Sequence, residues 1–281
     1  MTPANNTKST NQKLGQALRL FFIGTYLLIL FLVASTIDFQ AAYAENKLSF
    51  AFLCVAFVMY GIFYLVPAYL ITHITKKLLS SQLTKPAAQK IVYAIAILAT
   101  AITTLLMYAN AKLYGLYGMY INGFVLNLVM TPGGVESLGG SAASDLGFAA
   151  IAFGFLLLQT VLLWLAVKFL QKSQAFKQVV FGWKSALGAL LLLATVHMSY
   201  AYDLHTKHEL STVAQMVPFY QTVSARGLFK ALGIKGTRSS SLKAKGKLHY
   251  PLHPIQSNKP AKPYNIVWLV SESWRADTLN A

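Results

Sequence analysis

The 281-residue chain is 56% hydrophobic and only 11% charged, a composition that excludes a soluble globular protein with a solvated surface. Its 24 Lys and Arg residues against 8 Asp and Glu residues give a net charge of +16, which must lie mainly in loops because charge at the bilayer centre is costly. We therefore expect an integral membrane protein that meets anionic lipid and no nucleic acid. The single cysteine, Cys54, excludes an intrachain disulfide.

Five apolar stretches predict five transmembrane helices, because each has about the 20 residues that cross roughly 30 Å of hydrocarbon. The stretches are 17–37, 50–72, 91–110, 147–167 and 179–202. The polar N-terminus has no signal-peptide pattern, so the first stretch is interpreted as a retained span. In the fifth stretch, His197 is predicted to make a neutral interhelical hydrogen bond.

The distribution of lysine among the loops predicts the orientation of the bundle. Cations flank the first span and fill the loops between spans two and three and between spans four and five. These residues are Lys8, Lys13, Arg19, Lys76, Lys77, Lys85, Lys90, Lys168, Lys172, Lys177 and Lys184. By the positive-inside rule, the N-terminus is expected in the cytoplasm and the chain after Tyr202 on the extracytoplasmic side.

The loop between spans three and four contains an apolar run that is too short to cross a bilayer. This run, residues 124–130, follows a segment rich in tyrosine and precedes Thr131-Pro132-Gly133-Gly134. Aromatic side chains suit the membrane interface, and proline and glycine end helices. The pattern predicts an interfacial or re-entrant helix over these residues.

A polar, basic linker is predicted over residues 204–263, after the five-span domain at 1–203. From Val213 to Leu232 its apolar residues suit a segment that lies on the membrane, and Arg226 and Lys230 are placed to meet lipid phosphate. The alternative is a generic solvated basic linker, because the lysines at 243–247 continue the charge without an apolar face.

The last predicted region, residues 264–281, begins with the continuous apolar run 266–270. Such a run is typical of a strand buried on both faces of a parallel sheet. Glu272 follows the end of this strand, where ligands collect in open α/β sheets, and its carboxylate is a natural ligand for a divalent cation. The alternative is a solvated or helix-capping glutamate, because serine and glutamate both favour first helical turns.

The run from Asn265 to Ser273, after five spans and a basic linker, resembles the membrane-anchored sulfatase-like branch of the alkaline phosphatase superfamily. That branch includes lipoteichoic acid synthases and lipid phosphoethanolamine transferases. The resemblance implies that Glu272 is a ligand of a divalent metal (Mn, Mg, Zn or Ca). It also implies that the nucleophile lies beyond Ala281, so this chain is not expected to turn over substrate by itself.

The membrane half is similar to inner-membrane proteins of the PbgA type. The similarity rests on residues 121–125, 127–129 and 131–134, on Val217-Pro218 and on Ser224-Ala225-Arg226. It implies a five-span anchor, an interfacial basic linker and a periplasmic sulfatase-like domain. The best-known members of that family sense lipopolysaccharide or bind cardiolipin. Arg226 matches the family's lipid-contacting arginine, and the expected lipid-binding set is Ser224, Arg226, Phe229 and Lys230. The PbgA pattern has Asp-Gly where this chain has Glu272-Ser273.

The expected fold is therefore an α-helical membrane protein of five transmembrane helices, followed by the first strand of a truncated α/β sulfatase-like domain. Two functions are expected. The first is a metal-dependent hydrolase or transferase acting on phosphate or sulfate esters of envelope lipids or glycans. The alternative is a non-catalytic envelope regulator that binds lipopolysaccharide or cardiolipin through its linker and acts on a membrane-protein partner.

Overall fold

The computed structural model describes residues 3–134, 142–172, 183–206, 209–234 and 236. These residues belong to the first of two compact units, Met1–Arg238, and the second unit, Ser239–Ala281, lies outside them. Within the described ranges the chain is helical and contains no strand. The predicted strand at 266–270 and Glu272 lie outside the described residues.

Nine α-helices and one 3₁₀ turn make up the described part of the chain. In order they are α1 (Pro3–Ala34), α2 (Phe39–Glu45), α3 (Lys47–Leu78), the turn Ser80–Gln82, α4 (Pro86–Tyr117), α5 (Gly123–Met130), α6 (Ala142–Lys172), α7 (Trp183–Thr206), α8 (Ser211–Ala214) and α9 (Arg226–Ala231).

Five of these helices are long and apolar enough to cross a membrane, as predicted, and they indicate a membrane protein. The segments are Asn11–Ala34, Lys47–Leu78, Pro86–Tyr117, Leu146–Phe169 and Leu187–Thr206. The second and third have 32 residues each, or about 48 Å at 1.5 Å per residue, so they are longer than the roughly 30 Å hydrocarbon core.

Local signals in the sequence explain where several helices begin and end. The side chain of Asn46 accepts a hydrogen bond from the Ser49 amide at 2.6 Å and caps α3. Pro86 opens α4, where its missing N–H costs nothing, and Gly118 ends α4 with a φ of 66° that glycine adopts readily.

The bundle is built around α1, which contacts α3, α4 and α6, while α7 packs against α3. A buried polar layer joins α1, α6 and α4: Thr25 donates to Gln159 at 3.0 Å, and the Gln159 amide donates to Thr104 at 3.3 Å. Such interhelical hydrogen bonds stabilise helix packing in lipid.

We call the end where α3 begins and α7 ends the linker end, and the end where α1 begins and α3 ends the opposite end.

The short apolar helix predicted in the third loop is confirmed as α5. The Asn122 side chain accepts a hydrogen bond from the Val125 amide at 3.1 Å, which caps the helix, and α5 ends just before Thr131 and Pro132. None of its eight residues is buried. Its apolar side chains are therefore available to lipid.

Candidate functional site

The chain after α7 turns back against the linker end of the bundle. The Asp203 carboxylate accepts a hydrogen bond from the Leu210 amide at 2.7 Å, which holds the turn. Leu210 and the following Val213, Ala214 and Val217 are buried in the same apolar core as residues of α3 and α7. We call residues 209–234 the linker segment; its first half is a packed part of the membrane domain.

Three tyrosine hydroxyls hold the backbone of this segment. Tyr64 donates to the Pro218 carbonyl, and Tyr120 donates to the Met216 carbonyl at 2.6 Å. The Gln221 amide donates to the Tyr60 hydroxyl at 3.0 Å. Tyr64 lies about 25 Å along α3 from its first residue, so the segment inserts well down the helix. Irregular backbone at membrane depth needs such internal partners, since lipid supplies none.

An aromatic cluster closes around Tyr220 of the linker segment. Tyr220 stacks on Tyr60 and His197 at centroid distances of 5.2 and 5.3 Å and meets Tyr200 edge-on at 5.3 Å. His197 Nε2 lies 3.3 Å from the Tyr60 hydroxyl, so the predicted interhelical hydrogen bond is confirmed between α3 and α7. Burial raises the pKa of Tyr220.

Backbone strain accompanies this turn of the chain. Phe219, between the two hydrogen-bonded carbonyl and amide groups, has a φ of 57°, in the left-handed region that costs a bulky residue free energy. Its ring packs edge-on against Tyr64 at 6.3 Å. The tyrosine contacts on both sides keep Phe219 in this conformation.

The loop between α4 and α5 also holds the linker segment. We call Tyr60, Tyr64 and Tyr120, whose hydroxyls bond the backbone of that segment, the tyrosine clamp. Asn110 accepts a hydrogen bond from the Ile121 amide at 2.7 Å, and Tyr114 stacks on Tyr120 at 4.4 Å, so the loop is held over the bundle. Tyr120 also contacts the Thr36 hydroxyl at 3.2 Å, and burial raises its pKa to about 12. Tyr120 and Met216, the residues that directly precede the motifs at 121–125 and at Val217-Pro218, are thereby brought into contact.

Helix α9 is attached to the end of α7 through a buried ring. Phe229 is 5% exposed; it stacks on His205 at 5.6 Å and meets Tyr202 edge-on at 5.7 Å. His205 Nε2 lies 3.0 Å from the Ile234 carbonyl, just beyond the turn at Gly233 that ends the helix. His205 is thus engaged in attaching α9.

The four residues expected to bind lipid divide into one anchor and three exposed groups. Phe229 is the buried anchor, whereas Ser224, Arg226 and Lys230 are exposed. Arg226 and Lys230 are four residues apart in a helix and therefore share one face. Leu228 and Leu232, also four apart, are 51% and 65% exposed. The helix therefore presents its two cations on one side and exposed leucines on roughly the opposite side.

A metal site is not formed by the part of the chain that the structure describes, where no three His, Cys, Asp or Glu side chains are grouped closely enough to hold an ion. Glu272 lies outside that part. The sequence pattern did not predict that tyrosines would hold the linker segment. Tyr60 and Tyr64 offered one signal, because a buried tyrosine hydroxyl usually finds a hydrogen-bond partner.

A family model described as a domain of unknown function, DUF3413, matches residues 4–257, which include all five spans and the linker segment. No curated protein matches the chain. Because the model covers most of the sequence, the chain belongs to the DUF3413 family of domains of unknown function.

Proposed function

We propose that this protein is an envelope regulator whose linker segment binds the phosphate groups of an anionic lipid, either lipopolysaccharide or cardiolipin, at the periplasmic face of a bacterial inner membrane. The observation that carries the proposal is the surface of α9. Arg226 and Lys230 are exposed on one side of the helix and Leu228 is exposed on another, while Phe229 ties the helix to α7.

The chemistry of these side chains suits a lipid headgroup. Arginine pairs two-pronged with phosphate, and each cation near an anionic leaflet contributes about 1 kcal/mol. The exposed Leu228 and Leu232 supply apolar surface for the acyl region beside the headgroup. Ser224, exposed two residues before Arg226, adds a hydroxyl donor.

The position of the linker segment on the bundle also supports a regulatory role. The linker segment is hydrogen-bonded to α3 and to the loop before α5. Lipid bound at α9 would therefore act on the transmembrane helices through these hydrogen bonds. The uncovered apolar surface of α5 and the lipid-facing helices are where a membrane-protein partner would dock.

The test compares lipid that copurifies with the protein and with two charge-matched variants. Arg226→Gln with Lys230→Gln removes the proposed site, and Lys47→Gln with Lys112→Gln removes two exposed cations elsewhere at the linker end. We expect the first pair to lower bound lipid A and cardiolipin about tenfold, and the second pair to leave them near the wild-type level. Equal lipid content in all three proteins would refute the site.

A second function rests on the sequence motif at 265–273. In this proposal Glu272 ligates a divalent metal (Mn, Mg, Zn or Ca) that supports hydrolysis or transfer at a phosphate or sulfate ester of an envelope lipid or glycan. Metal content and hydrolysis of matched phosphodiester and sulfate ester substrates are measured on the complete protein and on Glu272→Ala. Metal and turnover that both disappear in the variant support the enzyme. A wild type with neither supports the regulator.

A further inference from the structure

Helix α5 is apolar on every side and has no neighbouring helix to cover it. Six of its eight residues have apolar side chains, and Asn127 is its only polar residue. None of the eight is buried, and Met130 is 82% exposed. Within the described part of the chain, α5 makes no extended packing contact with another helix. A helix that is hydrophobic all round is normally buried in a protein core or in a membrane.

The start of α5 lies at the level of the hydrocarbon boundary. Residues 91–111 of α4 contain no charged side chain, and Lys90 and Lys112 flank them. This stretch covers about 31 Å at 1.5 Å per residue, close to the roughly 30 Å of the hydrocarbon core. Near its end, the Asn110 side chain accepts a hydrogen bond from the Ile121 amide at 2.7 Å. Because α4 continues for about 10 Å beyond Asn110, the chain returns to the boundary before α5 begins.

Backbone groups at both ends of α5 find partners within the same short segment. The Asn122 side chain accepts a hydrogen bond from the Val125 amide. At the other end, the Thr131 hydroxyl donates to the Asn127 carbonyl at 2.7 Å, and the Thr131 amide donates to the Leu128 carbonyl at 3.3 Å. Lipid offers no partner to a backbone group, so a helix that enters it must be satisfied in this way. In water, by contrast, an unpacked helix of eight residues is marginal.

The neighbouring end of α4 has the composition of a membrane interface. Leu116 and Tyr117, in its last turn, are exposed, and Tyr114 stacks on Tyr120 in the loop that leads to α5. Tyrosine rings are enriched where hydrocarbon meets water. An aqueous location would leave the apolar surfaces of α5 and of this turn in water, whereas the leaflet beside the spans covers both.

We propose that α5 inserts into the acyl-chain region of the leaflet at the linker end, and that this insertion holds Tyr120 in the tyrosine clamp. The partner of α5 is the lipid bilayer itself. Tyr120 directly precedes Ile121 and donates to the Met216 carbonyl at 2.6 Å. Withdrawal of α5 from the leaflet would move this loop, so the attachment of the linker segment depends on the lipid around α5. The proposal goes beyond a ligand at α9 and does not require one.

Spin labels on α5 test the insertion in vesicles of phosphatidylethanolamine and phosphatidylglycerol that contain the purified complete protein. Since Cys54 is the single cysteine, Cys54→Ala gives a background in which Phe124→Cys and Met130→Cys are labelled one at a time. Ile102→Cys, exposed near the middle of α4, reports lipid, and Lys85→Cys, in the connection before α4, reports water. We expect both labels on α5 to collide with oxygen in preference to a water-soluble nickel chelate, as at Ile102.

Two other collision patterns would contradict the insertion. Preference for the nickel chelate at Phe124 and Met130, as at Lys85, would place α5 in water. Low collision with both reagents would overturn lipid as the partner and show that protein covers α5. Dipolar broadening between chains labelled at Met130 would identify that protein as a second copy.

Charges added to α5 test its coupling to the tyrosine clamp. Leu126→Asp with Val129→Asp places two charges at exposed apolar positions, where hydrocarbon disfavours them. We expect amide exchange over residues 216–221 to become severalfold faster. The control is Gln40→Asp with Ala44→Asp, which adds the same charge to exposed positions of α2 and should leave the exchange near the wild-type rate. Unchanged exchange in the α5 pair, or equally fast exchange in both pairs, would overturn the coupling.

Discussion

At the scale of single residues, tyrosine hydroxyls decide how the linker segment is held. Tyr64 and Tyr120 donate to backbone carbonyls, and Tyr60 accepts from a backbone amide. A polar backbone group that loses its partner in an apolar environment costs about 1–3 kcal/mol. Each hydroxyl therefore stabilises the inserted segment by an amount that a single substitution reveals.

We predict that Tyr64→Phe will loosen the linker segment, because the Pro218 carbonyl loses its donor. The free energy of docking should fall by about 1–3 kcal/mol, seen as faster amide hydrogen exchange over residues 216–221. Tyr69→Phe is the control, since that ring lies five residues, or about 7.5 Å, farther along α3 and packs on Phe22 and His73. Unchanged exchange in Tyr64→Phe would contradict the clamp.

Tyr120 makes the clamp sensitive to strongly alkaline pH. Burial raises its pKa to about 12 from an ordinary 10.0, so the folded state holds the proton more tightly than the unfolded state does. The resulting stability is complete below pH 10.0 and is lost as pH rises through about 12. The tyrosinate absorbance of the wild type minus that of Tyr120→Phe measures this titration. A Tyr120 component with a midpoint near 10 would contradict the buried position.

At the scale of elements, α9 owes its structure to packing rather than to its own sequence. A six-residue helix is too short to be stable in isolation. Phe229, buried between Tyr202 and His205, supplies the missing stability and orients the cationic face.

We predict that Phe229→Ala will release α9 from α7. Removing a buried phenylalanine ring costs about 3–5 kcal/mol, so exchange over residues 226–234 should rise and copurified anionic lipid should fall. Leu228→Ala, on an exposed neighbour in the same helix, should leave the exchange near the wild-type rate. Protection of α9 that survives Phe229→Ala would show that another contact anchors the helix.

At the scale of the whole molecule, an odd number of spans separates the N-terminus from the linker segment. The two ends differ in charge: acidic residues occur at 38, 45, 203 and 209 near the linker end, whereas the described segments of the opposite end, residues 3–25, 70–95, 165–172 and 183–190, contain Lys and Arg but no Asp or Glu. This asymmetry predicts that the opposite end faces the cytoplasm.

A fusion experiment checks this orientation. A reporter enzyme that is active only in the periplasm is expected to work when fused after Ala281 and to fail when inserted after Lys85, in the connection between α3 and α4. The reverse pattern of activity would place the linker segment in the cytoplasm and would remove lipopolysaccharide as its ligand.

The sequence by itself determined the five spans and the short helix α5. Both follow from local properties: an apolar run of sufficient length must cross the bilayer, and an apolar run closed by Pro132 and two glycines must end early. The interhelical hydrogen bond of His197 was also predictable, since a polar ring within a span needs a partner, although its partner Tyr60 was not.

Only the tertiary structure decided how deeply the linker segment inserts and which face of α9 is buried. Tyr64 and Pro218 are 154 residues apart, and Tyr120 and Met216 are 96 apart. Hydropathy depends on neighbours in the chain, whereas these contacts depend on which helices pack side by side. The tyrosine clamp and the buried Phe229 both arise from that packing.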